Sequence, residues 1–238
     1  MTRVTAVPET IRERFEQVHA RIRAAAERAR RSADEITLVA ISKTHPAATL
    51  QIAVSLGVTD LGENRVQEAE PKIVEVGRTA ARWHLVGHLQ SNKARRAVHL
   101  FDVIHSLDSV TLAQRLNRLC EEEQRNELPV LIQVDLAGEE TKSGITEPEA
   151  EELARVVQGC RRLKLAGLMI LPPYFEIAEQ ARPFFRRLRE LRGELKQKGY
   201  FGDESGELSM GMSHDFEVAI EEGATMLRIG TAIFGERK

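Results

Sequence analysis

ITLVAISK, residues 36–43, is a short apolar run that ends on a lysine. Ile36 to Ile41 is rich in β-branched residues and nearly continuous in apolar ones. That pattern belongs to a strand buried on both faces, as in a parallel sheet. Seven similar runs follow: VTDLG (58–62), RWHLVGH (82–88), FDVIHS (101–106), LPVLIQVDL (128–136), LKLAGLMIL (163–171), ELSMGMS (207–213) and ATMLRIG (224–230). Between them lie helical patterns: 46–56, 66–76, 92–98, 108–125, one from about Pro148 with Thr146 as its cap, 177–199 and 215–222. A last short one begins at Thr231. Eight strand–helix units in uninterrupted alternation predict a single (β/α)8 TIM barrel. An open doubly wound sheet is the alternative, but no G-x-G-x-x-G follows the first strand.

Composition agrees with this. The 238 residues suit one barrel domain over 1–238, with residues 1–35 as an extra N-terminal helix packed on it. Phe15, Val18 and Ile22 share one face of that helix. Glu13, Glu16 and Glu27 argue against reading the arginine-rich segment as a transit peptide. Lysine plus arginine number 34 and aspartate plus glutamate 36, a net charge of −2. That balance gives no electrostatic case for nucleic acid or an anionic membrane. No apolar run is long enough to span a bilayer. Cys120 and Cys160 form neither a disulfide framework nor a metal motif, and both are expected as packed residues of helices. The expected compartment is the cytoplasm.

Barrel active sites form at the C-terminal ends of the strands. Lys43 leaves the first strand there, at the mouth of a core. It is either an amine nucleophile for carbonyls or a lysine snorkelling to solvent. Phosphate commonly binds at the loops after the seventh and eighth strands. The seventh exits through Ser209, Gly211 and Ser213, and the eighth through Arg228, Gly230 and Thr231. Glycines let backbone N–H groups approach an anion, and the hydroxyls add donors. Closure sets the eighth strand beside the first, and so Arg228 near Lys43. An amine, a guanidinium and a phosphate cradle suit a phosphorylated aldehyde, and pyridoxal 5′-phosphate (PLP) is the common cofactor of that kind.

Six blocks carry a resemblance: AISKTHP, LGENRVQEAEPK, WHLVGHLQSNK, VDLAGEETKSGI, LAGLMILPP and LSMGMSHDFEVAIEEGATMLRIGTAIFG. In these the chain resembles the pyridoxal phosphate homeostasis proteins, whose barrel is similar to the N-terminal domain of alanine racemase. The resemblance runs from Ile36 to Gly235. It implies that Lys43 carries PLP as a Schiff base and that Arg228 faces the pyridine nitrogen. It also implies that Ser213, Gly230 and Thr231 hold the phosphate and that Asn64 lies near the cofactor. Ser209 completes the expected set. His45 and His88 depart from the family's usual residues.

The implied role is PLP homeostasis without substantial catalysis, with PLP and apo forms of PLP-dependent enzymes as partners, in a monomer or weak dimer. An arginine at the ring nitrogen leaves it unprotonated and the ring a weaker electron sink. Neither Tyr174 nor Tyr200 matches the racemase's second base. The alternatives are a racemase-like PLP enzyme, and a phosphate-dependent barrel enzyme in which Lys43 engages its substrate directly.

Other motifs carry less. His84 and His88 are four apart on a strand, about 13 Å, which is too far for ligands of one metal ion. No metal site is expected. Glu63, Glu68 and Glu70 are expected to cap and solvate the following helix. Trp83 is expected in the core or at the barrel mouth, and Lys93, Arg95 and Arg96 on a solvated helix face with Ser91 and Asn92 closer to the site. The polar stretch 199–206 is expected to be a mobile loop, and Lys142 is expected at the surface, with a second amine near the cofactor as the alternative.

Overall fold

The structure is a computed structural model that describes residues 6–138 and 143–235. Helix α1 (Ala6–Arg28) precedes the barrel. Then come β1 (Thr37–Ile41), α2 (Ala47–Ser55), β2 (Asp60–Glu63), α3 (Val66–Val76), β3 (Arg82–Leu85) and α4 (Ala94–Leu100). The middle of the chain forms β4 (Val103–Leu107), α5 (Val110–Glu122), β5 (Leu128–Asp135), β6 (Ile145–Thr146), α6 (Ala150–Gln158) and β7 (Leu163–Ile170). The last elements are α7 (Arg182–Gln197), β8 (Glu207–Ser209), α8 (Phe216–Glu221), β9 (Met226–Ile229) and α9 (Thr231–Phe234).

Every strand pairing is parallel. The order β4-β3-β2-β1-β9-β8-β7-β5 closes through β4–β5, so these eight strands form the expected (β/α)8 barrel. The two-residue β6 is an addition. Among the described residues it pairs only with the end of β5, where Val134 and Asp135 face Ile145 and Thr146. The N–H of Thr146 donates to the Glu149 carboxylate (2.8 Å) at the approach to α6.

Helix α1 lies against α8 and α9. Its buried residues Ile11, Val18, Ile22 and Ala25 follow the helical period and face the barrel. Each large apolar side chain buried this way contributes about 1.5–3 kcal/mol. Phe15, expected on the same face, is only half-buried and packs edge-on against His19. Arg21 sits over the Phe216 ring, 4.4 Å from its centre. Arg31 donates to the carbonyls of Ile220 (3.0 Å) and Ala224 (2.8 Å), tying the exit of α1 to α8.

Alternate strand residues face the lumen, as in any closed parallel barrel. The lumen is layered. Val103, Leu131, Met169 and Met226 form an apolar floor. Val39, Ile41 and Val86 form an apolar cluster of their own. The lumen also holds buried polar residues: Asp60, His84, His105, Ser209 and Arg228. Trp83 is fully buried in the shell between barrel and helices. Cys120 is buried and Cys160 half-buried, both as free thiols whose pKa burial pushes up. The stretch 199–206 is tied to α7: Arg192 donates to the Gly206 carbonyl (3.0 Å) and Lys196 to the Gly202 carbonyl (2.7 Å). Among the described residues no helix is long and apolar enough to cross a membrane, and no cluster of three metal-ligating side chains occurs.

Candidate cofactor site

A cavity of about 390 Å³ opens at the C-terminal ends of the strands, the end where barrel sites form. Lys43, Asn64, Ser213, Arg228, Gly230 and Thr231 all line it. Six of the seven residues expected from the sequence thus meet in one place. Ile41, Val86, Leu171 and Met212 give the cavity apolar walls. Its volume suits a small ligand with a flat apolar body and polar ends.

Ser209 is the exception. It is fully buried and lies beneath the cavity, accepting a hydrogen bond from Arg228 Nη1 (2.6 Å). Arg228 Nη2 donates to the Ile170 carbonyl (2.7 Å). Two nitrogens of this guanidinium are therefore anchored in the barrel wall while the group still faces the cavity. Burial lowers its pKa to about 10, against the pull of Asp215. The guanidinium remains a cation at neutral pH.

The other end is a cradle of N–H groups. Ser213 Oγ accepts from the N–H of Gly230 (3.3 Å) and of Ala232 (3.2 Å) at the start of α9. This ties the loop after β8 to the loop after β9. Gly211 turns the first of these loops with φ +92°, and a Cβ there would meet Ala219 Cβ at 2.7 Å. Only glycine fits that turn. Gly230 lies close to the first strand, and a Cβ on it would meet the Ile41 carbonyl at 3.3 Å. Gly87 is also needed: a Cβ there would meet the Asn64 carbonyl at 2.3 Å, so the ends of β2 and β3 approach each other through it.

Lys43 is half-buried, one residue beyond the fully buried Ser42. Thr44, next to it, has φ +69°, a left-handed conformation that costs a β-branched residue energy. The turn is held from below. Lys72 Nζ donates to the Ser42 carbonyl (2.8 Å) and to Glu63 Oε1 (2.6 Å), and Ser42 Oγ donates to the same carboxylate oxygen (2.6 Å). The expectation that Glu63 is solvated is therefore corrected. Glu63 closes β2 inside the fold, fully buried, and its Oε2 has no partner. Burial raises its pKa despite the hydrogen bonds from Lys72 and Ser42. Glu68 and Glu70 do face outward, paired with Arg65 (3.3 Å) and Arg96 (3.2 Å).

His214 was missed in the sequence although it directly follows Ser213. It lines the cavity, bonds the Glu176 carbonyl (3.1 Å), and lies 5.7 Å from the Tyr174 ring. Tyr174 also lines the cavity from an exposed loop. Tyr200 is elsewhere, with its hydroxyl 3.3 Å from Glu151. His84 is buried in the lumen, and His88 is exposed and paired with Asp108 (3.0 Å). Lys93 lines a neighbouring groove, Arg95 pairs with Glu122 and Glu123, and neither Ser91 nor Asn92 lines the cavity. Lys142 lies outside the described residues.

Residues 16–238 match the family described as alanine racemase, N-terminal domain. The pyridoxal phosphate homeostasis protein of Aquifex aeolicus is 43% identical over 228 residues, covering 95% of this chain and 98% of that one. Its counterpart in Escherichia coli K12 is 43% identical over 234 residues, covering 93% and 94%. This chain belongs to the pyridoxal phosphate homeostasis protein family. PipY of Synechococcus elongatus, solved with PLP bound, is similar with a TM-score of 0.82 and 36% identity, over 94% of this chain and all of that one. The alanine racemase of Clostridium difficile shares the fold at a TM-score of 0.73 and 13% identity. This family member covers 57% of the racemase chain.

Proposed function

We propose that the chain binds PLP in this cavity, holds it covalently through Lys43, and serves in PLP homeostasis. The observation that carries the reading is the donor set. One amine, one buried guanidinium and one cradle built from Ser213, Gly230 and Thr231 converge on a single cavity with apolar walls. The residues fit the group. Ser213, Gly230 and Thr231 would take the phosphate. Arg228 would donate to the ring nitrogen, and Ile41 and Val86 would flank the ring. Bound there, PLP supplies an aldehyde that condenses with a lysine amine with loss of one water.

Storage and delivery of the cofactor to apo enzymes is the proposed role, without substantial turnover. Arg228 supports this. It is a cation with two nitrogens already committed, so it donates to the ring nitrogen and has no proton acceptor to offer. The ring then gains little as an electron sink. The test is a titration of purified protein with PLP. Saturation at one equivalent per chain is expected, with a visible absorption band. The loaded protein should then restore activity to an apo PLP enzyme. No band and no binding would overturn the reading.

A further inference from the structure

Five side chains form an unbroken hydrogen-bonded line through the barrel lumen. Asp60 Oδ1 meets His84 Nε2 (2.8 Å), and His84 Nδ1 meets His105 Nε2 (2.8 Å). His105 Nδ1 meets Ser209 Oγ (2.8 Å), which accepts from Arg228 Nη1 (2.6 Å). Asp60 opens β2, and its partner Arg82 (2.6 Å) opens β3. That end lies at the floor of the barrel, and Arg228 faces the cavity at the other. Both histidines and Ser209 are fully buried.

The order of protons along this line has one solution. Asp60 also takes the hydroxyl of Thr59 (2.7 Å) and the Nε–H of Arg82, so it acts as an acceptor throughout. Its carboxyl fits that role. Burial pushes its pKa up, but the hydrogen bonds from His84 and Thr59 and the charge of Arg82 bring it down to about 2. His84 must then carry its proton on Nε2. Burial favours the neutral form of both imidazoles, and for His105 the charge of Arg228 acts in the same direction. A neutral His84 with Nε2–H has a bare Nδ1, which must accept from His105 Nε2–H. His105 Nδ1 is then bare, and Ser209 must donate its hydroxyl proton to it. Ser209 is left with free lone pairs facing Arg228.

We propose that Ser209 and His105 are positioning residues for Arg228, with Asp60 setting the direction in which Ser209 donates. In the reverse order the Ser209 oxygen would accept from both His105 and Arg228, and its own proton would have no partner. In the proposed order each imidazole donates through Nε2 and accepts at Nδ1, and Ser209 Oγ donates once and accepts once. Arg228 is held on one side by Ser209 and on the other by the Ile170 carbonyl, so the plane of its guanidinium is fixed before any ligand arrives. The proton order stands on the hydrogen-bond geometry together with the burial of both imidazoles, and does not depend on PLP. Its effect on the ring contact rests on the PLP reading above.

Two measurements separate these claims. The first uses the full chain without PLP, labelled with ¹⁵N-histidine. Two-bond ¹H–¹⁵N correlation spectra assign the tautomer of each imidazole. Nε2–H is expected on both His84 and His105. An Nδ1–H tautomer or an imidazolium at either would overturn the proposed order, whether or not PLP binds. The second loads Ser209→Ala with PLP. Affinity is expected to fall about tenfold, the loss of one hydrogen bond to a charged group. The visible band of the loaded protein should also shift while the adduct stays on Lys43. Unchanged affinity and band in a folded Ser209→Ala would overturn the positioning role. If the parent chain fails to bind PLP, the functional reading falls and the tautomer result stands separately.

Discussion

Replacing Lys72 by methionine tests how the turn that carries Lys43 is held. Methionine keeps most of the stem and removes the ammonium. Glu63 would then keep only Ser42 Oγ as a partner, with its carboxylate fully buried and Oε2 already unpaired. Removing one member of a buried ion pair costs about 3–5 kcal/mol. The lower end is expected, because Glu63 can take up a proton instead of staying charged. A loss of about 3 kcal/mol is a large share of the ~5–15 kcal/mol of a typical domain. At roughly 2–4 °C per kcal/mol for a chain of this size, Tm should fall by about 6–12 °C.

The pH dependence of this deficit has a definite sign. Burial already holds the folded-state pKa of Glu63 above its unfolded value, and the hydrogen bond from Lys72 opposes that rise more than any other contact. Without Lys72 it rises further. The folded variant then binds a proton that the unfolded chain has released, so stability is lost as pH rises and recovered as pH falls. Urea unfolding of Lys72→Met at about pH 8 and about pH 5.5 should show the smaller deficit at the lower pH. Lys72→Met combined with Glu63→Gln should recover part of the loss, since a neutral amide is cheaper to bury. A deficit below about 1 kcal/mol, or one equal at both pH values, would refute the argument.

Arg228→Gln should weaken PLP binding about 10- to 100-fold, the equivalent of roughly 1.5–3 kcal/mol for a hydrogen bond to a charged group, and should move the visible band; unchanged binding in an equilibrium titration would remove Arg228 from the ring contact. The PLP-saturated chain should exchange the α-proton of L-alanine with deuterated water only slowly. Exchange and inversion at about 1–10³ per second, followed by NMR and chiral chromatography, would promote the racemase alternative.

The eight barrel strands were legible because each is a compact apolar run with a turn or helix signal after it. The two residues of β6 were not, since Ile145 and Thr146 are too few to show any period. Lys43, Ser213, Arg228, Gly230 and Thr231 were legible because they sit at strand exits, where fold alone says that chemistry is placed, whereas Asn64 was expected only from the family resemblance. Ser209 misled for a geometric reason. It lies in the same loop run as Ser213, but as the last residue of β8 it points into the lumen, four residues short of the cradle. The line from Asp60 to Arg228 left only a faint trace: polar residues at buried positions of otherwise apolar strands. Its members are scattered over five strands, and only the closure of the barrel brings them together. Glu63 was misread because a glutamate near a helix start usually caps it. Its burial depends on Lys72, nine positions away, reaching back over the turn.

Attachment of PLP at Lys43 is the central claim, and it has a direct measurement. The protein is saturated with PLP, reduced with borohydride, digested and mapped by mass spectrometry. The account predicts one pyridoxyl phosphate adduct, on Lys43, and its loss in Lys43→Ala while weaker non-covalent binding persists in the cradle. An adduct found instead on Lys72, Lys93 or Lys142, or none at all on a protein that binds PLP, would contradict it.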